Sequence, residues 1–285
     1  MRSAQRLQPL AIPQFAAEPI IEKEYCVTKY RPEMKNSFLI RVYGDSLSLP
    51  RTADGIGYGD IYPELLRDSI EERQSETRVV VFNRSRGGAS ISELHRQYVD
   101  DSAYFPLNDS GILIIQCGIV DCAPRPVPAS VRVRIGRLPK LLRWAAVKLL
   151  HFLRPYLLRA GIAWAITPAE HFEQTLTQWL QEAQLGLERI YVINIAPTVS
   201  EIETHSPGLS RNIHEYNTVI RRAIKKMNSE VVTLLDAYKT IKAKGEDLTQ
   251  YINAHDGHHI TRSAHQLYAD LLFAEEVRRE YRKSQ

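Results

Sequence analysis

Short apolar runs alternate with amphipathic stretches along the chain from about residue 38 onward. Five runs are rich in β-branched residues and apolar on both faces, as is typical of strands inside a covered parallel sheet. They comprise residues 38–43, 78–82, 111–116, 190–195 and 231–235. Amphipathic helices are predicted near 60–74, 90–99, 168–185, 210–228 and 262–282. This alternation predicts an α/β fold, a doubly wound three-layer α/β/α sandwich around a five-stranded parallel sheet.

Composition and length fit one domain with an extension. Residues 1–35 contain prolines and show no clear period, so we expect an N-terminal extension, followed by a single domain over 36–285. The sequence has no uncharged apolar run long enough for a transmembrane helix and no signal-peptide pattern. Its three cysteines form no paired framework, which suits a reducing compartment. We therefore expect a cytoplasmic protein.

A serine directly follows the first predicted strand. In Gly44-Asp45-Ser46 the glycine allows a sharp turn, because it has no Cβ. The turn would present the Ser46 hydroxyl at the carboxyl edge of the sheet, where open α/β folds bind their ligands. A serine becomes a nucleophile only if a base reaches it. By itself the triplet is a weak signal, because it also occurs by chance.

A candidate base lies near the end of the chain, in Asp256-Gly257-His258-His259. The spacing allows Asp256 and His259 to lie side by side within one loop, as an imidazole and the carboxylate that orients it. His258 is an alternative base. Two other interpretations are a histidine-rich surface loop and a metal cluster. No second group of ligands with suitable spacing accompanies these histidines, so we expect no metal and no cofactor.

In this order, the two segments resemble the SGNH (GDSL-type) hydrolase family. That family has its nucleophile in a Gly-Asp-Ser-Leu block near the N-terminus, here Ser46, and its acid and base in an Asp-x-x-His block, here Asp256 and His259. Residues Asn83 to Gly88 are similar to the second family block. The resemblance implies a flavodoxin-like sheet and a Ser-His-Asp triad. It also implies an oxyanion hole that includes the backbone N–H groups of Ser46 and Gly88.

The third family block, Gly-x-Asn-Asp, is altered in this chain. It aligns with residues 118–121, where Val120 replaces the asparagine whose side-chain amide is the family's third oxyanion donor. One such donor is worth about two to three orders of magnitude in rate. Candidates for a substitute donor are Asn83, Arg86 and Arg125. The resemblance implies supporting roles for Asp45, Asn83 and Asp121, and Asp121 is expected to fix its loop.

A basic segment interrupts the family pattern at about residues 125–165. Residues 122–169 hold nine basic residues and no acidic one, within a chain of net charge +4. Residues Lys140 to Arg159 have helical period, and Pro155 is expected to kink or end that helix. One side is cationic and the other apolar. The cationic side comprises Lys140, Arg143, Lys148, His151, Arg154 and Arg159; the apolar side comprises Leu142, Ala145, Ala146, Leu149, Phe152, Leu153 and Tyr156.

Two interpretations of this helix remain open. It could cover the domain's own core with its basic face in water, or lie on an anionic membrane surface. A phosphate-bearing substrate would also explain why all charged residues of this segment are basic. Nucleic acid is disfavoured because the segment has no recognition motif and its apolar face is large.

The sequence therefore predicts a serine esterase or acyltransferase that acts on an acyl ester, such as an O-acetyl group, of a carbohydrate or lipid-linked glycan. The stretches after Ser46 and around residues 118–125 resemble bacterial family members linked to surface-polysaccharide synthesis. The alternative is a catalytically weak protein of the same fold that binds a ligand or docks on the inner face of the membrane. Val120 favours this alternative, whereas the complete set of Ser46, Asp256 and His259 opposes it.

Overall fold

A five-stranded parallel sheet forms the centre of the domain. The computed structural model describes residues 36–104 and 111–283; the predicted N-terminal extension lies outside them. The strands are β1 (Asn36–Gly44), β2 (Thr77–Asn83), β3 (Gly111–Gln116), β4 (Ile190–Ile193) and β5 (Val232–Leu235). Their order is β2-β1-β3-β4-β5, and every neighbouring pair is parallel. The predicted α/β sheet and its flavodoxin-like order are confirmed.

Burial along the strands follows their place in the sheet. All six residues of β3 and all four of β4 are buried. β2 is an edge strand, and Val80 within it is exposed. The prediction that the strands are covered on both faces therefore holds for these central strands but is wrong for β2, because an edge strand lacks neighbours on one side.

Ten α-helices lie within the described residues. They are α1 (Tyr62–Arg73), α2 (Ile91–Tyr104), α3 (Ile119–Cys122), α4 (Ala129–Gly136), α5 (Lys140–Arg159), α6 (Ala169–Ala183), α7 (Ile202–His205), α8 (Leu209–Met227), α9 (Ala237–Lys242) and α10 (Arg262–Lys283). Helix α1 packs against α10, whereas α6 packs against both α2 and α8. None of the helices in the described ranges has the length and apolar character needed to span a membrane.

The fourth strand is shorter than the apolar pattern predicts. Residues 190–195 are apolar apart from Asn194, but β4 ends at Ile193. The amide side chain of Asn217 in α8 accepts from the Ile195 N–H at 2.9 Å and donates to the Ile195 carbonyl at 2.8 Å. A helix side chain thus satisfies the backbone groups that a longer strand would pair, and the chain leaves the sheet two residues early.

The basic segment forms α4 and α5. Arg125 and Trp164 exchange two backbone hydrogen bonds of 2.9 Å, which join the two ends of the segment. Helix α5 runs from Lys140 to Arg159 and continues through Pro155, so of the two effects expected of this proline, a kink or an end, the end of the helix is excluded. Leu158 is the only buried residue of α5. The helix therefore does not cover the core with its apolar face.

Candidate active site

Ser46 lies where β1 ends at the carboxyl edge of the sheet. It opens a 3-10 helix, Ser46–Ser48, and the Asp45 N–H before it donates to the Gln116 carbonyl at the end of β3. A Cβ on Gly44 would lie 2.2 Å from the Ser48 hydroxyl oxygen. Gly44 is not among the residues with positive φ. The glycine is therefore required by close packing, and not by the backbone freedom that the sequence argument assumed.

The structure brings Ser46, His259 and Asp256 into one hydrogen-bonded chain. Nε2 of His259 lies 2.9 Å from the Ser46 Oγ, and Nδ1 of His259 lies 2.9 Å from Asp256 Oδ2. With Asp256 ionised, Nδ1 carries the proton and donates to the carboxylate, so Nε2 accepts from the serine hydroxyl. The serine comes from β1, and the other two residues come from the loop before α10.

Asp256 is held as an anion by donors on both oxygens. Oδ1 accepts the backbone N–H groups of His258 at 3.2 Å and His259 at 2.9 Å. Oδ2 accepts from His259 and also from the Arg51 guanidinium at 2.9 Å. Burial tends to raise the pKa of Asp256, but the hydrogen bonds from His259 and the two backbone amides outweigh it and hold the pKa well below its usual value. The carboxylate therefore remains charged and orients the imidazole.

His258 lies beside the triad without contacting the serine through a hydrogen bond. Its Nδ1 bonds the Asp256 carbonyl at 2.9 Å, and its ring lies 4.2 Å from the His259 ring, centroid to centroid. Burial, and then the neighbouring His259, lower the pKa of His258. The geometry thus favours His259 over His258 as the base.

Asp256, His258 and His259 also offer three ligand atoms within 4.8 Å of one another, which is a spacing that a metal ion could use. Both ring nitrogens of His259 are already hydrogen-bonded, to Ser46 and to Asp256. A metal bound through His259 would break one of these bonds. A metal site and a triad would therefore require the same ring nitrogens of His259.

Two backbone N–H groups, those of Ser46 and Gly88, are the oxyanion donors that the family resemblance implies. Gly88 occupies a turn closed by the hydrogen bond from the Ala89 N–H to the Arg86 carbonyl, with a φ of 75° that favours glycine. Within the described residues, neither the Ser46 N–H nor the Gly88 N–H donates to another group. Both donors are therefore available to a ligand.

Val120 lines the cavity beside Ser46, where the family has an asparagine. Of the three candidate substitutes, Asn83 donates its amide to the Ser48 carbonyl at 2.9 Å, and Arg86 pairs with Glu93. Arg125 alone among the three lines the same cavity as Ser46. The structure thus leaves Arg125 as the side chain that can reach a ligand there.

The supporting carboxylates fix the loops around the site. Asp121 is fully buried and accepts from the Thr167 hydroxyl at 2.5 Å and from the Ile91 N–H at 3.1 Å, so it joins the third block to the start of α2. Asp45 caps the 3-10 helix by accepting the Leu47 N–H at 2.9 Å. Burial raises the pKa of Asp45 to about 7 and that of Asp121 to about 6, although hydrogen bonds partly offset the effect.

A cavity of about 500 Å³ opens beside the triad. Ser46, Asp256 and His258 form one side, and the opposite side comes from the basic segment, including Arg125 and Arg154. Val120, Phe152, Tyr156, Ile202 and Leu209 give the remaining wall an apolar character. Helix α5 therefore forms part of the site through its C-terminal half.

Sequence reasoning missed two of these residues. Arg51 contacts Asp256 from a position 205 residues earlier in the chain. It lies in the stretch after Ser46 that resembles family members, but that resemblance gives it no role. The helical period places Arg154 on the cationic side of α5 without indicating a contact with the domain, but Arg154 donates to the Pro124 carbonyl at 3.2 Å and to the Ser206 hydroxyl at 2.8 Å. The absence of acidic residues around it was the signal available in the sequence.

Comparison with solved structures finds the same fold over most of the chain. A lipase/acylhydrolase from Enterococcus faecalis is 14% identical, with a TM-score of 0.56, over 84% of this chain and 94% of that one. A member of the lipolytic G-D-S-L family from Veillonella parvula is 13% identical (TM-score 0.53; 82% and 95% covered). An acetylxylan esterase from Geobacillus stearothermophilus is 16% identical (TM-score 0.54; 83% and 93% covered).

No protein-family model matches the sequence, and no curated protein matches it either. At these low identities the structural matches establish the fold. The chain has the α/β fold of the SGNH (GDSL-type) hydrolases.

Proposed function

We propose that this protein is a serine ester hydrolase of the SGNH type, with Ser46 as nucleophile, His259 as general base and Asp256 as the group that orients it. The observation that carries the proposal is the continuous chain of two 2.9 Å hydrogen bonds from the Ser46 hydroxyl through His259 to Asp256. The chain lies at the carboxyl edge of the sheet, beside a cavity large enough for a small ester.

The reaction follows from these contacts. His259 takes the Ser46 proton as Oγ attacks the ester carbonyl, and the developing oxyanion accepts from the N–H groups of Ser46 and Gly88. The ester C–O bond then breaks, and His259 gives its proton to the departing alcohol. Water attacks the acyl-serine in the same way and releases the acid. If a sugar hydroxyl takes the place of water, the same steps transfer the acyl group.

We propose an acyl ester of a carbohydrate or a lipid-linked glycan as the substrate, with O-acetyl as the simplest acyl group. Support comes from the acetylxylan esterase among the structures of the same fold, whose name gives its own substrate. A role in surface-polysaccharide synthesis rests on the resemblance of the sequence blocks alone.

A fluorophosphonate probe tests the nucleophile, because it labels only an activated serine. Wild-type protein should be labelled, and Ser46→Ala should not. Ser48→Ala is the matched control, since Ser48 lies two residues away but bonds Gln116 and Tyr62. If folded wild-type protein, verified by its melting transition, takes up no label, the esterase proposal is wrong.

A second candidate is a protein of the same fold that binds rather than turns over its ligand. Val120 favours it, because the family's third oxyanion donor is missing at this wall of the cavity. Labelling of Ser46 without measurable release of acetate from simple acetyl esters would support this candidate. Turnover that exceeds the Ser46→Ala background would exclude it.

We also propose that α5 docks on an anionic membrane surface. Leu141, Trp144 and Phe152 on this helix are 81%, 59% and 68% exposed, and Lys140, Arg143 and Lys148 lie between and beside them, also exposed. Exposed apolar side chains next to cations fit a surface of acyl chains and anionic headgroups.

Liposome sedimentation tests this docking. Wild-type protein should bind vesicles that contain phosphatidylserine and not neutral ones, and salt should weaken the binding. Trp144→Ser and Phe152→Ser should reduce it, whereas Leu185→Ser, on a leucine 87% exposed outside α5, should not. Equal binding after deletion of residues 131–160 contradicts the proposal.

A further inference from the structure

Two cavities meet at the basic segment. The cavity beside Ser46, of about 500 Å³, and a second one of about 360 Å³ between α4 and α5 are lined in common by Arg125, His151 and Arg154. The second cavity is also lined by Arg132 and Arg143. The shared arginines thus lie at the junction of two cavities, one of which is also lined by the candidate nucleophile Ser46.

The charges of these arginines have no counterion within the described residues. No carboxylate there forms an ion pair with Arg125, Arg132 or Arg154, and the buried Nε atom of each has no hydrogen-bond partner. Arg154 donates only to neutral acceptors, the Pro124 carbonyl and the Ser206 hydroxyl. Burial, followed by the charges of Arg154 and Arg132, lowers the pKa of Arg125. Positive charge is therefore concentrated at a cost to stability.

Hydrogen bonds hold the backbone of Arg125 and the guanidinium group of Arg154 in place. The paired 2.9 Å hydrogen bonds between Arg125 and Trp164 fix the backbone from which Arg125 extends. The two hydrogen bonds from Arg154 fix its Nη2 against the domain. Binding an anion there would require little further ordering of the Arg154 side chain, and preorganisation of this kind favours affinity.

An arginine cannot remove its buried, unpaired positive charge by losing its proton, because its pKa lies too high. The complementary partner is an anion that accepts several N–H donors at once. Two arginines at the junction and two more in the second cavity match a phosphate, which carries up to two negative charges and three acceptor oxygens, better than a single carboxylate.

We infer that the ester substrate carries a phosphate group, which Arg125 and Arg154 hold while the ester carbonyl lies at Ser46. The inference rests on the proposed ester hydrolysis and adds the chemical class of its substrate. The apolar wall formed by Val120, Phe152 and Tyr156 contacts the uncharged part of the substrate between the ester and the phosphate. Any remainder beyond the phosphate extends into the second cavity toward Arg132 and Arg143.

A pair of acetyl esters with the same scissile bond tests the inference. Para-phosphonooxyphenyl acetate carries the phosphate, and para-methoxyphenyl acetate is its neutral counterpart; acetate release is measured at constant ionic strength. Wild-type protein should have the higher kcat/KM for the phosphate ester. Arg125→Gln and Arg154→Gln should each lower the ratio of kcat/KM for the phosphate ester to kcat/KM for the neutral ester about tenfold or more, the size expected for one lost charge-assisted hydrogen bond.

Arg134→Gln is the matched control, since Arg134 belongs to the same basic segment but is exposed and lines neither cavity. Arg125→Gln also separates binding from structure: its side chain makes no ion pair within the described residues, so removing its charge should leave the melting temperature equal or higher. A lower melting temperature would assign Arg125 a structural role and contradict the inference.

Binding to Ser46→Ala protein distinguishes this inference from the proposed function. Calorimetry with the phosphate ester should show binding that Arg125→Gln removes, even if no variant turns over any ester. Equal kcat/KM for the two esters, unchanged by Arg125→Gln and Arg154→Gln, would overturn the inference and leave esterase activity standing. Discrimination that occurs only when the phosphate ester is anchored in vesicles would also overturn it, and assign the charges to lipid headgroups.

Discussion

The carboxyl edge of the sheet and the basic segment each hold charge away from water, but they deal with it in opposite ways. At the sheet edge, Asp45 is fully buried, its Oδ2 has no hydrogen-bond partner, and burial raises its pKa to about 7. It can therefore take up a proton and become neutral. In the basic segment, Arg125 and Arg154 keep their charge at any ordinary pH.

The difference indicates what each region is for. The sheet edge satisfies most of its polar groups internally: Asp256 and Asp121 each accept several donors, and the triad atoms bond one another. In the basic segment, buried arginine Nε atoms have no hydrogen-bond partner, and large apolar side chains are exposed to solvent. Under the proposed function, a fixed site at the sheet edge would lie beside a basic segment whose charges have no counterion, which is what we expect where an insertion supplies specificity.

The largest expected effect tests the sheet edge. His259→Gln should reduce kcat by about four to six orders of magnitude, because a triad without its base loses nearly all of its advantage. His258→Gln should cost far less, since its ring bonds the Asp256 carbonyl and not Ser46. Steady-state hydrolysis of an acetyl ester measures both. Equal losses in the two variants would contradict the assignment of His259 as base.

The next largest effect on kcat is expected at Val120, which lines the cavity between the sheet edge and the basic segment. Val120→Asn should raise kcat about a hundredfold by supplying an amide donor to the oxyanion. Val120→Leu, of similar size but without the amide, is the control. If both variants change the rate alike, or if asparagine lowers it, the oxyanion hole does not need a third donor at this position.

A smaller effect is expected at Arg51. Arg51→Gln should lower kcat about tenfold with little change in KM, because Asp256 loses one charge-assisted hydrogen bond and orients His259 less firmly. Arg51→Lys should recover part of the loss. The split between kcat and KM is the informative measurement: a rise in KM alone would mean that Arg51 binds substrate instead.

The smallest effect appears in stability rather than rate. Because the pKa of Asp45 is raised from 3.8 to about 7, the folded protein holds a proton that the unfolded chain has lost across this range. The Asp45 contribution to stability should therefore fall as pH rises from 4 to 7, while the lowered pKa of His265 acts in the opposite direction. Urea unfolding of wild type and Asp45→Asn at several pH values isolates the Asp45 part as the difference between the two free energies of unfolding. That difference should shift against the wild type as pH rises; a difference that does not change with pH contradicts the shifted pKa of Asp45.

Much of the fold was predictable because parallel strands leave a strong local signal. The run Gly111 to Gln116 is apolar throughout, and the structure buries all of it as β3. The end of β4 was not predictable, because it depends on the side chain of Asn217 on a helix more than twenty residues later. The exposure of Val80 depended on the position of β2 at the edge of the sheet.

The candidate site, like the fold, could be predicted from the sequence only in part. Ser46, Asp256 and His259 could be proposed from short blocks in a recognisable order. The role of Arg51 could not, because the resemblance of the stretch after Ser46 does not indicate which distant carboxylate this arginine contacts. For α5, the 3.6-residue period gave the helix but left open which face it buries, and the structure buries only Leu158.

The sequence by itself determined the elements and the identity of the reactive groups, because hydrophobic period and short blocks are properties of neighbouring residues. Only the tertiary structure decided which groups meet. The fold brings Ser46 to within 2.9 Å of a histidine 213 residues away, and residues of the basic segment, whose ends the Arg125–Trp164 bridge joins, line the cavity beside that serine. These contacts depend on how the whole chain packs, and no local pattern records them.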